Sequence, residues 1–421
     1  MNSSSLPVWD DRWEAYQDIL ANLIDDLPAP TFKALAACLQ AFGDSQFQFF
    51  RDGFRDGNLW LSAQYPAEYV LRTTLDQVGY DVSVIDQAAQ QRRDGTKKMQ
   101  ETLHKADQLA QLALNLAVDN GLLKESTVIT YFNKSAYVRT IPYAPLALVA
   151  VPYTAAAVPH DYLATPHEIG HHIYRHSPGL AAQLRATLPI QPNWLHNWRE
   201  EIFADVYGCL IAGPVIGLDF QDILFDNDLE NFMSDDGEHP VEAIRPFAYV
   251  KVLAKLGFHN AAKVLKKKWK RKLAARNNPE SFVPFGEFGA VSLKEAQTKL
   301  EAFALQILAY LQDERGIQPQ TFWSQDLAEG ETLNSLYKKF AIWVDHLPNV
   351  TVPELKEEGD EVGVVNENGE LVNKRRKGET KTWIDELKNP GRYPLPSSGW
   401  VTALASEGWN VSGPEEDPDK P

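Results

Sequence analysis

Cysteine is nearly missing from this sequence. The two that occur, Cys38 and Cys209, cannot build a disulfide framework, and neither has the spacing of a thiolate metal site. Both are expected to be small buried apolar side chains. Long apolar runs are also missing: the longest, Leu146 to Val158, is interrupted by Pro152 and falls short of the roughly 20 residues that cross a bilayer. The first residues, Met1-Asn2-Ser3-Ser4-Ser5, have neither the positive region nor the apolar core of a secretory signal. A soluble, cytoplasmic protein is the expectation. Positive charge is in deficit, with 41 Lys and Arg against 57 Asp and Glu and a net charge of -16, which argues against nucleic acid as the main partner. There is no Gly-rich phosphate loop and no internal repeat. What is present is a globular composition, 44% hydrophobic and 11% aromatic over 421 residues, with room for two or three domains.

The most informative stretch is Thr165-Pro166-His167-Glu168-Ile169-Gly170-His171-His172. Its HExxH core puts two imidazoles four positions apart on one helix face, where both reach one metal ion. Glu168, one residue past the first histidine, is placed to deprotonate a water held by the metal rather than to bind the metal itself. Zinc needs a third protein ligand. A metzincin would have a histidine at position 177, but Ser177 stands there and His176 falls one residue short. Further on, Glu201-Ile202-Phe203-Ala204-Asp205 places two carboxylates on one helix face. Glu201 is the candidate third ligand, and Asp205 the candidate acceptor for the outward N–H of a ligand histidine. His172 and His176 lie on another face and are expected to be solvated or to support the site from outside rather than to bind the metal.

This pairing of HExxH with ExxAD resembles the gluzincin metallopeptidases, the group that includes thermolysin. With His239-Pro240 and Arg245 added, the order HExxH, ExxAD, HPxxxxR is similar to the heat-shock and CAAX-prenyl endopeptidase family. The likeness spans about residues 160–246. Only thirty positions separate His171 from Glu201, a spacing nearer to compact ImmA/IrrE-type metallopeptidases, and the membrane spans of the endopeptidases are missing. The resemblance implies an α+β, mainly helical fold, a zincin-like core with a small β-sheet packed on the HExxH helix, and Zn²⁺ as cofactor. It also implies a role for His239, which is otherwise an ordinary loop histidine, as the donor that stabilises a tetrahedral oxyanion. Arg245 is either a structural ion-pair residue or a contact to substrate or to the carboxylates of the metal site, the structural role being expected.

Along the chain, Trp9, Trp13, Tyr16, Leu20, Leu23 and Ile24 fall at helical spacing, Pro30-Thr31 opens a second helix through Leu39, and Phe47 to Trp60 reads as shorter helices and turns. An amphipathic helix over 96–118 closes at Asn120-Gly121. Three β-rich runs follow, 128–132, 136–141 and 146–151, with the last expected at the sheet edge along the cleft, where an extended substrate can add to it. Residues 250–276 read as one helix with a dense positive face, and 293–313 and 330–346 as two more. Asn368-Gly369 signals a hairpin turn. The predicted organisation is a helical region over 1–122, the metallopeptidase core over 123–280, a helical region over 281–352, a C-terminal region with a β-hairpin over 353–412, and a disordered tail over 413–421.

The expected function is zinc-dependent hydrolysis of a peptide bond in a peptide or protein substrate, with Glu168 as general base on a water held by the metal. The catalytic residues are Glu168 and His239, the metal ligands His167, His171 and Glu201, and the supporting residues Asp205 and Arg245. Two alternatives stay open: a metal-stabilised regulatory or interaction protein without protease activity, and a zinc hydrolase acting on a non-peptide bond.

Overall fold

The computed structural model describes residues 6–56, 66–123, 126–139, 141, 143–188, 192–225, 228–319, 322–355, 363–365 and 371–374. The protein is mainly helical with a small sheet. It divides into two compact units, one of residues 1–100, 140–146 and 353–421, the other of residues 101–139 and 147–352.

The first unit contains α1 (Leu6–Asp26), α2 (Pro30–Arg55) and α3 (Ala67–Asp94). The expected break after Leu39 does not occur. α2 runs on through Gly43 and Asp44 because both serve its packing on α1: a Cβ at Gly43 would lie 2.7 Å from the Trp13 ring, and Asp44 accepts the Trp13 indole N–H at 2.9 Å. The Trp13 ring stacks on Phe47. Strands Gly363–Val365 and Leu371–Lys374 pair antiparallel. The Asn368-Gly369 turn between them and the tail over 413–421 lie outside the described residues.

The second unit takes α4 (Lys97–Asp119) from residue 101, ending before Asn120-Gly121 as expected, then β1 (Thr127–Asn133), β2 (Tyr137–Arg139) and, from residue 147, β3 (Leu146–Pro152). The sheet order is β1-β3-β2. β3 is therefore central, which corrects the expectation that it forms the edge. Its uninterrupted apolar run, buried from Leu146 to Val151, is what a strand covered on both faces requires. β2 pairs antiparallel with it through Tyr137–Ala150, Val138–Val149 and Arg139–Leu148.

Helices α5 (Thr165–His176), α6 (Leu180–Thr187), α7 (Asn193–Asn197), α8 (Arg199–Ala212), α9 (Pro214–Phe225) and α10 (Leu229–Met233) follow. Next come α11 (Arg245–Lys255) and α12 (His259–Ala275), two helices where the sequence reads as one, with the chain turning between Leu256 and Phe258. A short hairpin, β4 (Ser281–Phe282) with β5 (Val291–Ser292), lies inside the region expected to be helical; α13 (Leu293–Ala309) and α14 (Asn334–Asp345) complete the unit. On α12 the positive face is solvated: Lys268 pairs with Asp222, whereas Lys263, Lys266, Lys267 and Lys270 are exposed.

α8 is buried on all sides from Glu201 to Ala212, the signature of a helix at the centre of a core. It crosses α5 at a contact set by Gly170, where a Cβ would come within 2.7 Å of Ala204 Cα. Ile169 and Ile173 on α5 and Phe203 on α8 are fully buried around that crossing, each worth about 1.5–3 kcal/mol relative to exposure. The glycine inside HExxH thus lets the two helix backbones meet, and so brings the carboxylates of α8 to the histidines of α5.

Candidate metal centre

His167 and His171, one turn apart on α5, point their Nε2 atoms at the same space, 3.0 Å from each other. Glu201 reaches in from the first turn of α8, its Oε2 3.4 Å from His167 Nε2 and its Oε1 3.2 Å from His171 Nε2. All three are buried and close enough to hold one metal ion. The outward Nδ1 atoms are occupied. That of His171 is 2.9 Å from Glu200 Oε1, and that of His167 is 3.0 Å from Asp205 Oδ1, a close ion-pair contact rather than an aligned hydrogen bond.

Glu200 favours the ring proton of His171 on Nδ1, and the Nε2 atoms of both rings face each other and the Glu201 oxygens. The two Nε2 atoms and the two Glu201 oxygens, 3.0–3.4 Å apart, need a positive charge among them, either a proton on Nε2 or a metal ion. Arg245 Nη2 donates to Glu201 Oε2 at 2.8 Å but is 3.5 Å from His167 Nε2, too far for a strong bond to the imidazole. Tetrahedral zinc with nitrogen ligands at ~2.0–2.1 Å has ligand–ligand edges of about 3.3 Å; the Nε2 pair at 3.0 Å is near that edge, and each of the three residues offers an atom within 4.8 Å of the others. Without a cation, burial pulls the His171 ring toward neutrality, but Glu200 and Glu201 outweigh it and push its pKa up to about 10. The same balance, with Asp205 and Glu201 as the anions, raises His167.

Asp205 and Arg245 sit where the sequence placed them, beside the ligands. Arg245, at the start of α11, donates from Nε and Nη2 to both Asp205 oxygens at 2.9 and 2.7 Å, and from Nη2 to Glu201 Oε2 at 2.8 Å. The expected structural ion pair is made with the site's own carboxylates, so the two roles weighed for Arg245 coincide. Burial pushes Glu201 toward protonation, yet Arg245 and the two histidines hold it well below the usual carboxylate range. Asp205 is lowered by the same opposition.

Glu168 is outside this cluster. Its Oε2 accepts the N–H of Val138 on β2 at 2.8 Å, so the edge strand anchors the carboxylate through a main-chain amide that points away from β3. His239 lies on the loop before α11, with Nε2 3.3 Å from Glu201 Oε1 and Nδ1 2.7 Å from Asp236 Oδ2. Asp236 raises its pKa, and burial opposes this. His172 departs from expectation. It is neither solvated nor a support for the site: it is buried with both ring nitrogens unpartnered, stacked on His176, and burial holds it neutral. The Tyr207 hydroxyl, one turn beyond Phe203 on α8, is spent on the Ala113 carbonyl at 2.6 Å and so faces away from the site.

Sequence reasoning missed Glu200, Asp236, Tyr249 and the Val138 amide. Tyr249 donates to Asp205 Oδ1 at 2.5 Å from one turn along α11. For Glu200 a signal existed: two ligand histidines need two outward acceptors, and Asp205 can serve one. Replacing Glu200 with glutamine is expected to weaken metal affinity about 10–100-fold, the usual cost of losing a partner behind a ligand histidine. Competition against a chromophoric chelator measures this, and wild-type affinity in the variant would deny Glu200 that part.

No protein-family model matches the chain, and neither a curated protein nor a solved structure matches it.

Proposed function

We propose that the protein is a zinc-dependent peptidase of gluzincin type, cytoplasmic, with a zincin-like core made by the small sheet, α5 and α8. The observation that carries this reading is the donor set: two Nε2 atoms and one carboxylate converge while both outward Nδ1 atoms already face carboxylates. Three protein ligands rather than four are what catalytic zinc sites use. A divalent cation held there supplies Lewis acidity, polarising a carbonyl and acidifying water.

The protein's own residues do the rest. Glu168, anchored at Oε2 by Val138, keeps Oε1 to accept a proton from the attacking water and to return it to the leaving amine. Arg245 and the histidines keep Glu201 ionised, so it stays a ligand. His239, steadied at Nδ1 by Asp236 and resting with Nε2 3.3 Å from Glu201 Oε1, is near enough to shift its Nε2–H from that carboxylate to the reacting carbonyl oxygen and stabilise the oxyanion. Replacing His239 with alanine is expected to lower kcat about 100-fold, the lower end for an oxyanion donor, because the side chain is 46% exposed. KM and zinc content should hardly move. A kcat within threefold of wild type would remove His239 from the reaction.

The reading is tested by elemental analysis together with hydrolysis of fluorescently labelled casein. About one Zn²⁺ per chain is expected in the wild type, with loss of zinc and of hydrolysis in His171→Ala and in Glu201→Ala. Retention of zinc at wild-type level in both variants would eliminate the site as described.

A further inference from the structure

The β4–β5 hairpin carries three bulky apolar side chains within six residues of its tip, Val283, Phe285 and Phe288, and they are 53%, 63% and 106% exposed. Single exposed apolar residues are ordinary. Three together on a short tip form a patch, and a patch marks contact with something else. Its base is firmly packed: Phe282 is buried against the Trp194 and Trp198 rings.

The tip is tied to the candidate metal centre through one carboxylate. Asp235, itself buried, accepts the Phe285 N–H at 3.0 Å through Oδ2. Its Oδ1 accepts the Trp198 indole N–H and the Gly237 N–H, both at 3.0 Å. Trp198 directly precedes α8, whose first turn carries Glu201. Gly237 is two residues from His239, whose Nε2 is 3.3 Å from Glu201. The Phe285 ring lies over Gly237, where a Cβ would come within 2.8 Å of it and where φ is +83°. A side chain at 237 is thus excluded both by conformation and by the ring.

The geometry points to the hairpin tip as a recognition element that takes a bulky apolar side chain of the polypeptide crossing the site; this rests on the peptidase reading above. What touches Phe285 lies beside the loop of His239, which makes a passing substrate the occupant. A second copy of the chain does not fit, because three side chains cannot supply the roughly 800 Å² per partner that a stable interface buries. Burying one large apolar side chain is worth about tenfold or more in affinity.

The test uses the full-length, zinc-loaded Glu168→Gln variant and two fluorescein-labelled, end-blocked decapeptides, identical except for a central Leu-Phe in one and Ser-Asn in the other. Fluorescence anisotropy is expected to show the Leu-Phe peptide binding at least about tenfold more tightly. Adding Phe285→Ser and Phe288→Ser should abolish that preference, leaving the affinity for the Ser-Asn peptide and the zinc content unchanged. Equal affinity for the two peptides before the serine substitutions, or a preference that survives them, would overturn the proposal. So would a dimer in sedimentation equilibrium that the serine substitutions dissociate. Failure of the peptidase reading looks different: the wild type would cleave neither peptide while the phenylalanine-dependent preference persisted.

Discussion

Replacing Arg245 with methionine is expected to lower the melting midpoint of the metal-free protein by roughly 10 °C. The guanidinium is buried between Asp205 and Glu201 and donates to both, with the Phe220 ring 5.3 Å from its carbon. Methionine keeps most of the packing volume but removes the one cation that donates to both buried carboxylates, leaving them no positive partner but the neighbouring imidazoles. Breaking a buried pair from one side costs about 3–5 kcal/mol because the remaining charge has no compensation, and each kcal/mol shifts the midpoint by roughly 2–4 °C in a domain of this size. Lysine should fall between, since one ammonium cannot reproduce a fork that spans both Asp205 oxygens and Glu201. Calorimetry of the three proteins after chelation decides this. A methionine variant melting within about 2 °C of wild type would show that the buried acids find another solution, such as taking up protons.

Glu168→Gln is expected to keep zinc and fold while hydrolysis drops by about 10²–10⁴, the range for losing general acid–base assistance. The amide has nearly the shape of the carboxylate and can still accept the Val138 N–H through its carbonyl, so the anchor to β2 survives and proton transfer alone is lost. The measurement is turnover beside zinc content in the same preparations. Unchanged turnover would refute Glu168 as base. Bound zinc with no turnover in either protein would favour a metal-stabilised interaction protein over an enzyme. In that event the sequence that most resembles a catalytic motif would be serving stability.

Sequence determined whatever depends on short, regular spacing along the chain. Residues four apart on a helix share a face whatever surrounds them, so the convergence of His167 and His171 was legible, as was the shared face of Glu201 and Asp205. The apolar periodicity of α1, α4 and α13 and the branched runs of β1 and β3 were legible for the same reason. The tertiary structure decided everything that depends on which faces meet. Strand order is one case: an apolar run signals burial but does not say between which neighbours, and β3 proved central. The partner of each histidine is another: the sequence offered Asp205 as an acceptor, and the crossing of α5 and α8 at Gly170 and Ala204 set it beside His167 and Glu200 beside His171. Arg245 lies forty positions from Asp205 and meets it only through the packing of α11 on α8. The β4–β5 hairpin was unreadable because two-residue strands have no periodicity to detect. Local backbone geometry thus paired the two candidate ligand histidines, and the close approach of two helices at a glycine brought Glu201 and the supporting carboxylates to them.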